Sequence, residues 1–175
     1  MFDTHNDLSP SVRSSVADLL RARLADAIDL RLQIKVAHWN VKGPAFIALH
    51  KLFDDVAADV DEYVDLIAER AVQLGGVADG TARQVAERSG LDEYAATGGG
   101  AEHVHAVAEA LASFGRAARA AIDAASGKGD QVTADVFTEI CRGTDKWLWM
   151  VEAHAQHGEW AHRSAGEQGE MYADH

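Results

Sequence analysis

The chain has 175 residues, of which 47% are hydrophobic, and a formal net charge of -12 at pH 7. This length suffices for one well-buried core and is too short for two comfortable domains. The acidic balance and the lack of a basic arm argue against a surface for nucleic acid or anionic membrane. No signal peptide or bilayer-length apolar run occurs, so we predict a cytoplasmic protein without membrane contact. The single cysteine, Cys141, excludes an internal disulfide and is predicted to be a buried apolar residue.

Helical periodicity begins close to the N-terminus. Ser9 and Pro10 form a helix-opening pair, and apolar residues then recur at helical spacing up to "KVAHWN". "NVKGP" interrupts this first helix, and a second periodic segment runs from Leu49 to Ala71, ahead of a glycine pair. The sequence therefore predicts two long helices joined by a short link.

The second half of the chain repeats this pattern. Residues 77 to 100 are loop-like, with a short helical stretch in "GTARQVAERSG" and a stop at "TGGG". A third long helix begins near Ala101, and "SGKGD" separates it from a fourth that begins near Asp130 and includes "DKWLWMVEAHA". We predict one domain over residues 1–157 and a polar, mobile tail over residues 158–175.

The lengths of the links favour one type of all-α fold. The first and third links are about five residues long, which is short enough to join antiparallel neighbours, whereas the middle link is about 25 residues long. A link of that length can run along the full length of the bundle. The predicted fold is a ferritin-like four-helix bundle with a long crossover between helices 2 and 3 that carries a short helix.

Two pairs of polar residues recur at helical spacing on the second long helix. His50 and Asp54 are four residues apart, and Asp65 and Glu69 repeat this spacing, so each pair lies on one face. Fifteen residues from His50 to Asp65 correspond to roughly 22 Å at about 1.5 Å per residue. Since metal–ligand bonds are near 2 Å, one chain cannot wrap both pairs around one ion.

A second copy of the chain removes this difficulty. If two such helices pack antiparallel about a dyad near residues 59 and 60, His50 and Asp54 of one chain meet the carboxylate pair of the other. His38, at the end of the preceding helix, then adds a further imidazole. Nitrogen and carboxylate ligands without sulfur suit iron, manganese or zinc. The alternative is that these residues belong to an ordinary solvated helix face, where the same spacing arises by chance.

The stretch "HWNVKGPAFIALHKLFDD", followed by "DEYVDLIAERAVQLGG", closely resembles the signature of the Dps family of small ferritin-like proteins. The likeness extends from about Val12 to His154 and includes "GDQVTADVFTEICRGTDKWLWMVE". The resemblance implies a hollow homododecamer that oxidises Fe(II), preferentially with hydrogen peroxide, and stores ferric mineral. Such a ferroxidase protects the cell against oxidative damage.

The resemblance also assigns residues. The family's ferroxidase ligands, which are both metal-binding and catalytic, match His38, His50 and Asp54 of one subunit and Asp65 and Glu69 of its dyad mate. Iron is the expected metal, and Zn or Mn are possible occupants of the same site.

Further residues match regions to which the family gives a role. The start of the fourth helix lines acidic pores in the family, which implies iron entry past Asp130, Asp135 and Glu139. For Asp130 the competing interpretation is a helix N-cap. Trp39 adjoins His38, and Trp149 resembles a family tryptophan near the ferroxidase centre, so both are candidate electron or radical relays; the alternative is that both fill the core.

Other functions remain open at this stage. Neither terminus supplies the lysine-rich or arginine-rich extension of DNA-binding family members, so we predict absent or weak DNA binding, and association with the nucleoid only if DNA binding proves real. A structural or DNA-compacting shell with little ferroxidase activity is the alternative function. A di-iron enzyme with its centre inside one bundle would use Glu-x-x-His motifs, of which Glu102 with His105 and Glu159 with His162 have the spacing but lack partners.

Overall fold

The computed structural model describes residues 1–156, which contain five helices and no strand. The helices are α1 (Pro10–Asn40), α2 (Phe46–Gln73), α3 (Ala82–Arg88), α4 (Gly100–Gly127) and α5 (Gln131–Glu152). None of these helices combines the length and the apolarity that a membrane span requires. The tail predicted over residues 158–175 and the predicted domain end at residue 157 lie outside the described residues.

The chain forms two helical hairpins. Ser9 caps α1, since its side chain accepts a hydrogen bond from the Val12 N–H, and Pro10 is the first helical residue, as predicted. α1 packs chiefly against α2, and α4 against α5, while a further contact between α1 and α4 joins the hairpins. The long link over residues 74–99 connects them and contains α3. The predicted ferritin-like four-helix bundle with its long crossover is therefore confirmed.

Apolar side chains on the inner faces of the four long helices form one core, and Cys141 is buried in it, as predicted. Burying one large apolar side chain stabilises a fold by about 1.5–3 kcal/mol. The largest side chains with essentially no exposed surface include Phe53, Phe114, Phe137, Leu20, Leu30, Ile34, Ile67, Leu111 and Ile140.

Contacts between α2 and α5 fix the middle of the bundle. The Trp147 indole N–H donates a hydrogen bond of 2.7 Å to Asp59 Oδ2. Tyr63 packs against Gly143, where any side chain would overlap the tyrosine hydroxyl group. Burial, chiefly, raises the pKa of Tyr63 to about 12, so the phenol stays neutral. α2, which carries four of the five predicted ligands, is thus held against α5 at its middle.

Polar side chains of α1 hold the crossover in place. Asp26 is buried and accepts hydrogen bonds from the Gly90 N–H at 2.8 Å and from Arg23 Nε at 2.7 Å. Gln33 donates to the Asp92 carbonyl oxygen at 2.9 Å. Backbone groups of an irregular segment need such partners wherever they are shielded from water. The crossover is therefore attached to the bundle by specific hydrogen bonds.

His103, near the start of α4, is the fully buried histidine of this region. Its Nδ1 lies 2.6 Å from the hydroxyl oxygen of Tyr94 in the crossover, and its Nε2 is buried without a hydrogen-bond partner among the described residues. Burial, as the largest cause, lowers the pKa of His103, because a charged imidazolium is disfavoured away from water. The folded protein therefore keeps this side chain neutral.

This neutral histidine predicts a loss of stability in mild acid. Below about pH 6.5, the ordinary histidine pKa, the unfolded chain binds a proton at residue 103 that the folded chain refuses. As the pH is lowered, the free energy of unfolding should then decrease by up to about 1.4 kcal/mol per pH unit for one proton. We expect His103→Phe to reduce this slope in chemical unfolding measured from pH 7.5 to 5.5. His5→Gln, which replaces an exposed histidine, should retain the wild-type slope; equal slopes for wild type and His103→Phe would contradict the prediction.

Candidate metal centre

The structure brings His38 and His50 together across the turn between α1 and α2. His38 lies in the last turn of α1, and His50 lies near the start of α2. Their rings stack with centroids 3.8 Å apart and planes inclined by 21°. His38 Nδ1 is 2.8 Å from the His50 carbonyl oxygen, and His50 Nδ1 is 2.9 Å from the His38 carbonyl oxygen. The two residues are therefore linked by reciprocal hydrogen bonds.

These hydrogen bonds determine which ring nitrogen of each histidine is available. A carbonyl oxygen only accepts hydrogen bonds, so Nδ1 must carry the proton in both rings. In a neutral imidazole the other nitrogen, Nε2, then has a free lone pair. A histidine that donates Nδ1–H to a carbonyl group and offers Nε2 is a common arrangement at protein metal sites. Both histidines can thus act as nitrogen ligands.

Asp54 follows His50 by one turn of α2. Its carboxylate is largely exposed, with Oδ1 at 2.7 Å from Lys35 Nζ and 3.9 Å from His38 Nδ1. The hydrogen bond from Lys35 is the main cause that lowers the pKa of Asp54. The carboxylate therefore stays ionised beside the two imidazoles.

Lys35 is a residue of this region that the sequence analysis missed. It precedes His38 by three residues on α1, so both side chains leave the same helix face. That spacing is the signal that could have revealed it. Because its ammonium group already neutralises Asp54, a metal ion bound there would have to compete with Lys35 for the carboxylate.

Asp65 and Glu69 lie farther along α2 and are exposed. Neither carboxylate forms a hydrogen bond or an ion pair with the described residues. Within residues 1–156, no three histidine, cysteine, aspartate or glutamate side chains are close enough together to hold a metal ion. One subunit therefore places Asp54 next to the stacked His38 and His50 without completing a metal site, and it leaves Asp65 and Glu69 apart from them.

The residues predicted at an entry pore fall into two groups. Asp135 and Glu139 are exposed and lie one turn apart on α5. Asp130 is buried and is the N-cap of α5, where it accepts a hydrogen bond from the Thr133 N–H and pairs with Arg70. Its carboxylate is thus not presented to solvent in the subunit, and the subunit shows the N-cap contact that was the competing interpretation for this position.

Both tryptophans proposed as relays lie on the surface of the subunit. The side chains of Trp39 and Trp149 are each 65% exposed. The alternative that they fill the core is therefore wrong for the described subunit. Lys35 Nζ, which pairs with Asp54, lies 6.0 Å from the centroid of the Trp39 ring.

The Glu-x-x-His motifs do not form a centre inside the bundle. Glu102 accepts a hydrogen bond from the Gly98 N–H at 3.0 Å, and His105 Nε2 lies 3.2 Å from Glu109 Oε1. The second motif, Glu159 with His162, lies outside the described residues. The part of the chain that the structure describes thus gives the intra-bundle alternative no support.

Comparison with known proteins gives the class of this fold first. The family model of the ferritin-like domain matches residues 17–159. The solved structure of Mycobacterium smegmatis Dps in its tetragonal form superposes with a TM-score of 0.84 and 31% identity, covering 88% of this chain and 93% of that one. The helical bundle with its long crossover therefore defines a ferritin-like protein.

Curated relatives narrow this class to a family. The DNA protection during starvation protein of Agrobacterium fabrum is 43% identical over 154 residues, which are 87% of this chain and 95% of that protein. The protein of the same name from Brevibacillus brevis is 32% identical and covers 83% of this chain and 98% of its own length. The chain belongs to the Dps family.

The ion pair between Lys35 and Asp54 leads to a prediction on metal affinity. Lys35→Gln removes the ammonium group that competes for Asp54, so we expect Zn(II) to bind about three- to tenfold more tightly. Calorimetric titration of the metal-free protein at neutral pH measures this change. Lys128→Gln makes the same change in net charge in the turn before α5 and should leave the affinity unchanged. Unchanged or weaker Zn(II) binding by Lys35→Gln would contradict the prediction.

Proposed function

We propose that this protein is an iron-storage ferroxidase that oxidises Fe(II) with hydrogen peroxide and keeps the ferric product inside a hollow dodecamer. Membership of the Dps family supports an iron-storage function of the mini-ferritin type. The observation that carries the ferroxidase proposal is the pair of histidines tied through Nδ1, which leaves the lone pair of each Nε2 available, together with the ionised Asp54 carboxylate 3.9 Å from His38 Nδ1.

The proposed centre lies between two subunits. His38, His50 and Asp54 of one chain hold Fe(II) together with Asp65 and Glu69 of the dyad mate. Two features of the subunit support this division. His38, His50 and Asp54 are neighbours in one subunit, whereas Asp65 and Glu69 have no partner among the described residues. The roughly 22 Å of helix between the two groups excludes a centre within one chain.

Each kind of ligand contributes differently to the proposed chemistry. The carboxylates favour Fe(III) over Fe(II), while neutral imidazoles bind Fe(II) without adding charge. Two Fe(II) ions give up two electrons, and one molecule of hydrogen peroxide takes both together with two protons to form two molecules of water. This two-electron reaction avoids the hydroxyl radical that a single-electron reaction would release. The protein thereby removes Fe(II) and hydrogen peroxide, the two reactants that would otherwise form hydroxyl radicals.

The proposed route of iron starts at the surface of the shell. Asp135 and Glu139 are exposed at the start of α5 and offer negative charge to an approaching cation. Asp130 supports this route indirectly by capping α5. Zn and Mn are proposed as alternative occupants of the centre, since histidine and carboxylate ligands suit them too. Trp39 and Trp149 remain proposed as relays of oxidising equivalents.

Mixed assembly of two inactive variants tests the division between chains. His50→Ala and Glu69→Ala should each abolish most peroxide-dependent Fe(II) oxidation, because each homodimer loses a ligand at both sites. In a mixed dimer one site carries both defects and the other carries none. With random pairing, about a quarter of all sites should be intact, so about a quarter of the wild-type initial rate should return.

The variants are unfolded and refolded together, and mass spectrometry confirms mixed shells. A mixture of His50→Ala with Asp54→Ala serves as the control, because both of these residues come from the same half of the centre. It should show no recovery beyond either variant alone. The proposal fails if the first mixture is no faster than the control although mixed shells are present, or if wild-type protein oxidises Fe(II) no faster with peroxide than without it.

A second prediction concerns DNA. With 28 acidic residues against 16 basic ones, the chain offers few contacts to phosphate groups. Its N-terminal segment is attached to the end of α2 by a hydrogen bond of 2.6 Å from the Phe2 N–H to the Gly75 carbonyl oxygen. We expect no retardation of duplex DNA in a gel-shift assay at neutral pH and moderate salt with a metal chelator present. Tight, salt-sensitive binding under these conditions would refute this expectation and favour the DNA-compacting alternative.

A further inference from the structure

The end of α2 that carries Glu69 is held from two sides by buried arginine side chains. α2 ends at Gln73, so Glu69 belongs to its last turns, and helix ends are where local opening begins. Arg13, on α1, is 9% exposed and donates from a terminal guanidinium nitrogen to the Leu74 carbonyl oxygen at 3.3 Å. Arg70, the residue after Glu69, is 7% exposed and reaches in the opposite direction, toward α5.

Arg70 is fixed by hydrogen bonds at all three of its guanidinium nitrogens. One terminal nitrogen contacts both carboxylate oxygens of Asp130, at 2.9 and 3.1 Å. Nε donates to Thr133 Oγ1 at 2.9 Å, and the other terminal nitrogen donates to Gln73 Oε1 at 3.3 Å. A planar guanidinium group can serve three partners in this way, whereas a lysine ammonium group has a different geometry.

The partners of Arg70 are themselves fixed. Asp130 is 2% exposed, and Thr133 has no exposed surface. Asp130 accepts hydrogen bonds from the Thr133 N–H at 3.0 Å and from the Thr133 hydroxyl group at 2.6 Å. Burial raises the pKa of Asp130, but the hydrogen bonds from Thr133 and Arg70 outweigh it, so the pKa is lowered. The ion pair is therefore buried, charged and hydrogen-bonded on both sides.

Glu69 contrasts with its neighbour. Its carboxylate is exposed and has no partner among the described residues, so its position depends on the backbone of the last turns of α2. We propose that Arg70 is a positioning residue for Glu69: its buried ion pair with Asp130 keeps the end of α2 closed and so places the Glu69 carboxylate for a metal ion held by the dyad mate. This inference rests on the proposed function, which makes Glu69 a ligand.

The same ion pair links the entry region to the metal centre. Asp130 is the N-cap of α5, and the exposed Asp135 and Glu139 follow on the first turns of that helix. Arg70 therefore sets the position of these acidic residues relative to Glu69. A change at Arg70 acts on both ends of the proposed iron route, although Arg70 itself touches neither the metal ion nor a ligand atom.

Co(II) binding to the assembled protein tests this role. Arg70→Met should weaken Co(II) binding about tenfold, the lower end of losses caused by residues that orient metal ligands. Arg70→Lys retains the charge that pairs with Asp130 and should recover part of this loss. The visible absorption of bound Co(II) should change in Arg70→Met, since a displaced carboxylate alters the coordination. Amide hydrogen exchange of the metal-free protein should become faster over residues 70–76.

Asp26→Asn serves as the matched control. It removes the charge of another buried carboxylate that pairs with an arginine, but at the crossover and away from the end of α2. We expect this variant to lose stability and to keep both the wild-type Co(II) affinity and the slow exchange over residues 70–76. This comparison separates a general loss of protein stability from a change in the position of Glu69.

The possible outcomes are distinct. Assembled Arg70→Met with wild-type Co(II) affinity and spectrum would overturn the positioning role. If Arg70→Met does not assemble, Asp130→Asn takes its place, because asparagine can still cap α5; it should weaken Co(II) binding while Asp26→Asn does not, and equal affinities would overturn the inference. If His50→Ala binds Co(II) as tightly as wild type does, the proposed function fails instead, and this result does not depend on Arg70.

Discussion

The hydrogen bonds that His38 and His50 exchange with each other's carbonyl groups set the geometry of the candidate centre. They join the end of α1 to the start of α2, stack the two rings and place the proton of each ring on Nδ1. The Asp54 carboxylate, one turn after His50, lies 3.9 Å from His38 Nδ1. The rest of the hairpin supports this arrangement, since the core packing of α1 against α2 fixes the distance between the two backbones.

α2 acts as a rigid spacer between two unequal sets of groups. At its beginning, histidine and carboxylate groups are ordered by hydrogen bonds within the subunit, and Lys35 balances the charge of Asp54. Toward its end, Asp65 and Glu69 are exposed and lack partners among the described residues. A helix with about 1.5 Å rise per residue cannot bring these sets together, so any shared metal site needs a second chain. The length of one helix thus links the proposed metal centre to the proposed pairing of two chains.

Helical periodicity and glycine or proline punctuation were sufficient to predict the four long helices, the crossover and the short helix within it. The spacing also placed His38 and His50 on either side of one turn. It did not predict contacts between residues far apart in the sequence, such as the ion pair of Arg70 with Asp130. Periodicity identifies the buried face of one helix, but it does not identify the helix that packs against that face. The exposure of Trp149 could have been predicted from the spacing of the two tryptophans. Trp149 lies two residues after the buried Trp147, which puts it on the opposite side of α5.

The acceptors in the histidine pair are backbone atoms, and this has a consequence for how the site tolerates change. Replacing one histidine deletes its ring but leaves its carbonyl group, which still accepts the hydrogen bond from the other ring. Each imidazole is thus oriented by the main chain at the partner position, independently of the side chain present there. A lineage that lost one of the two histidines would keep the other in the tautomer suited to metal binding, and a single reversion would restore the pair.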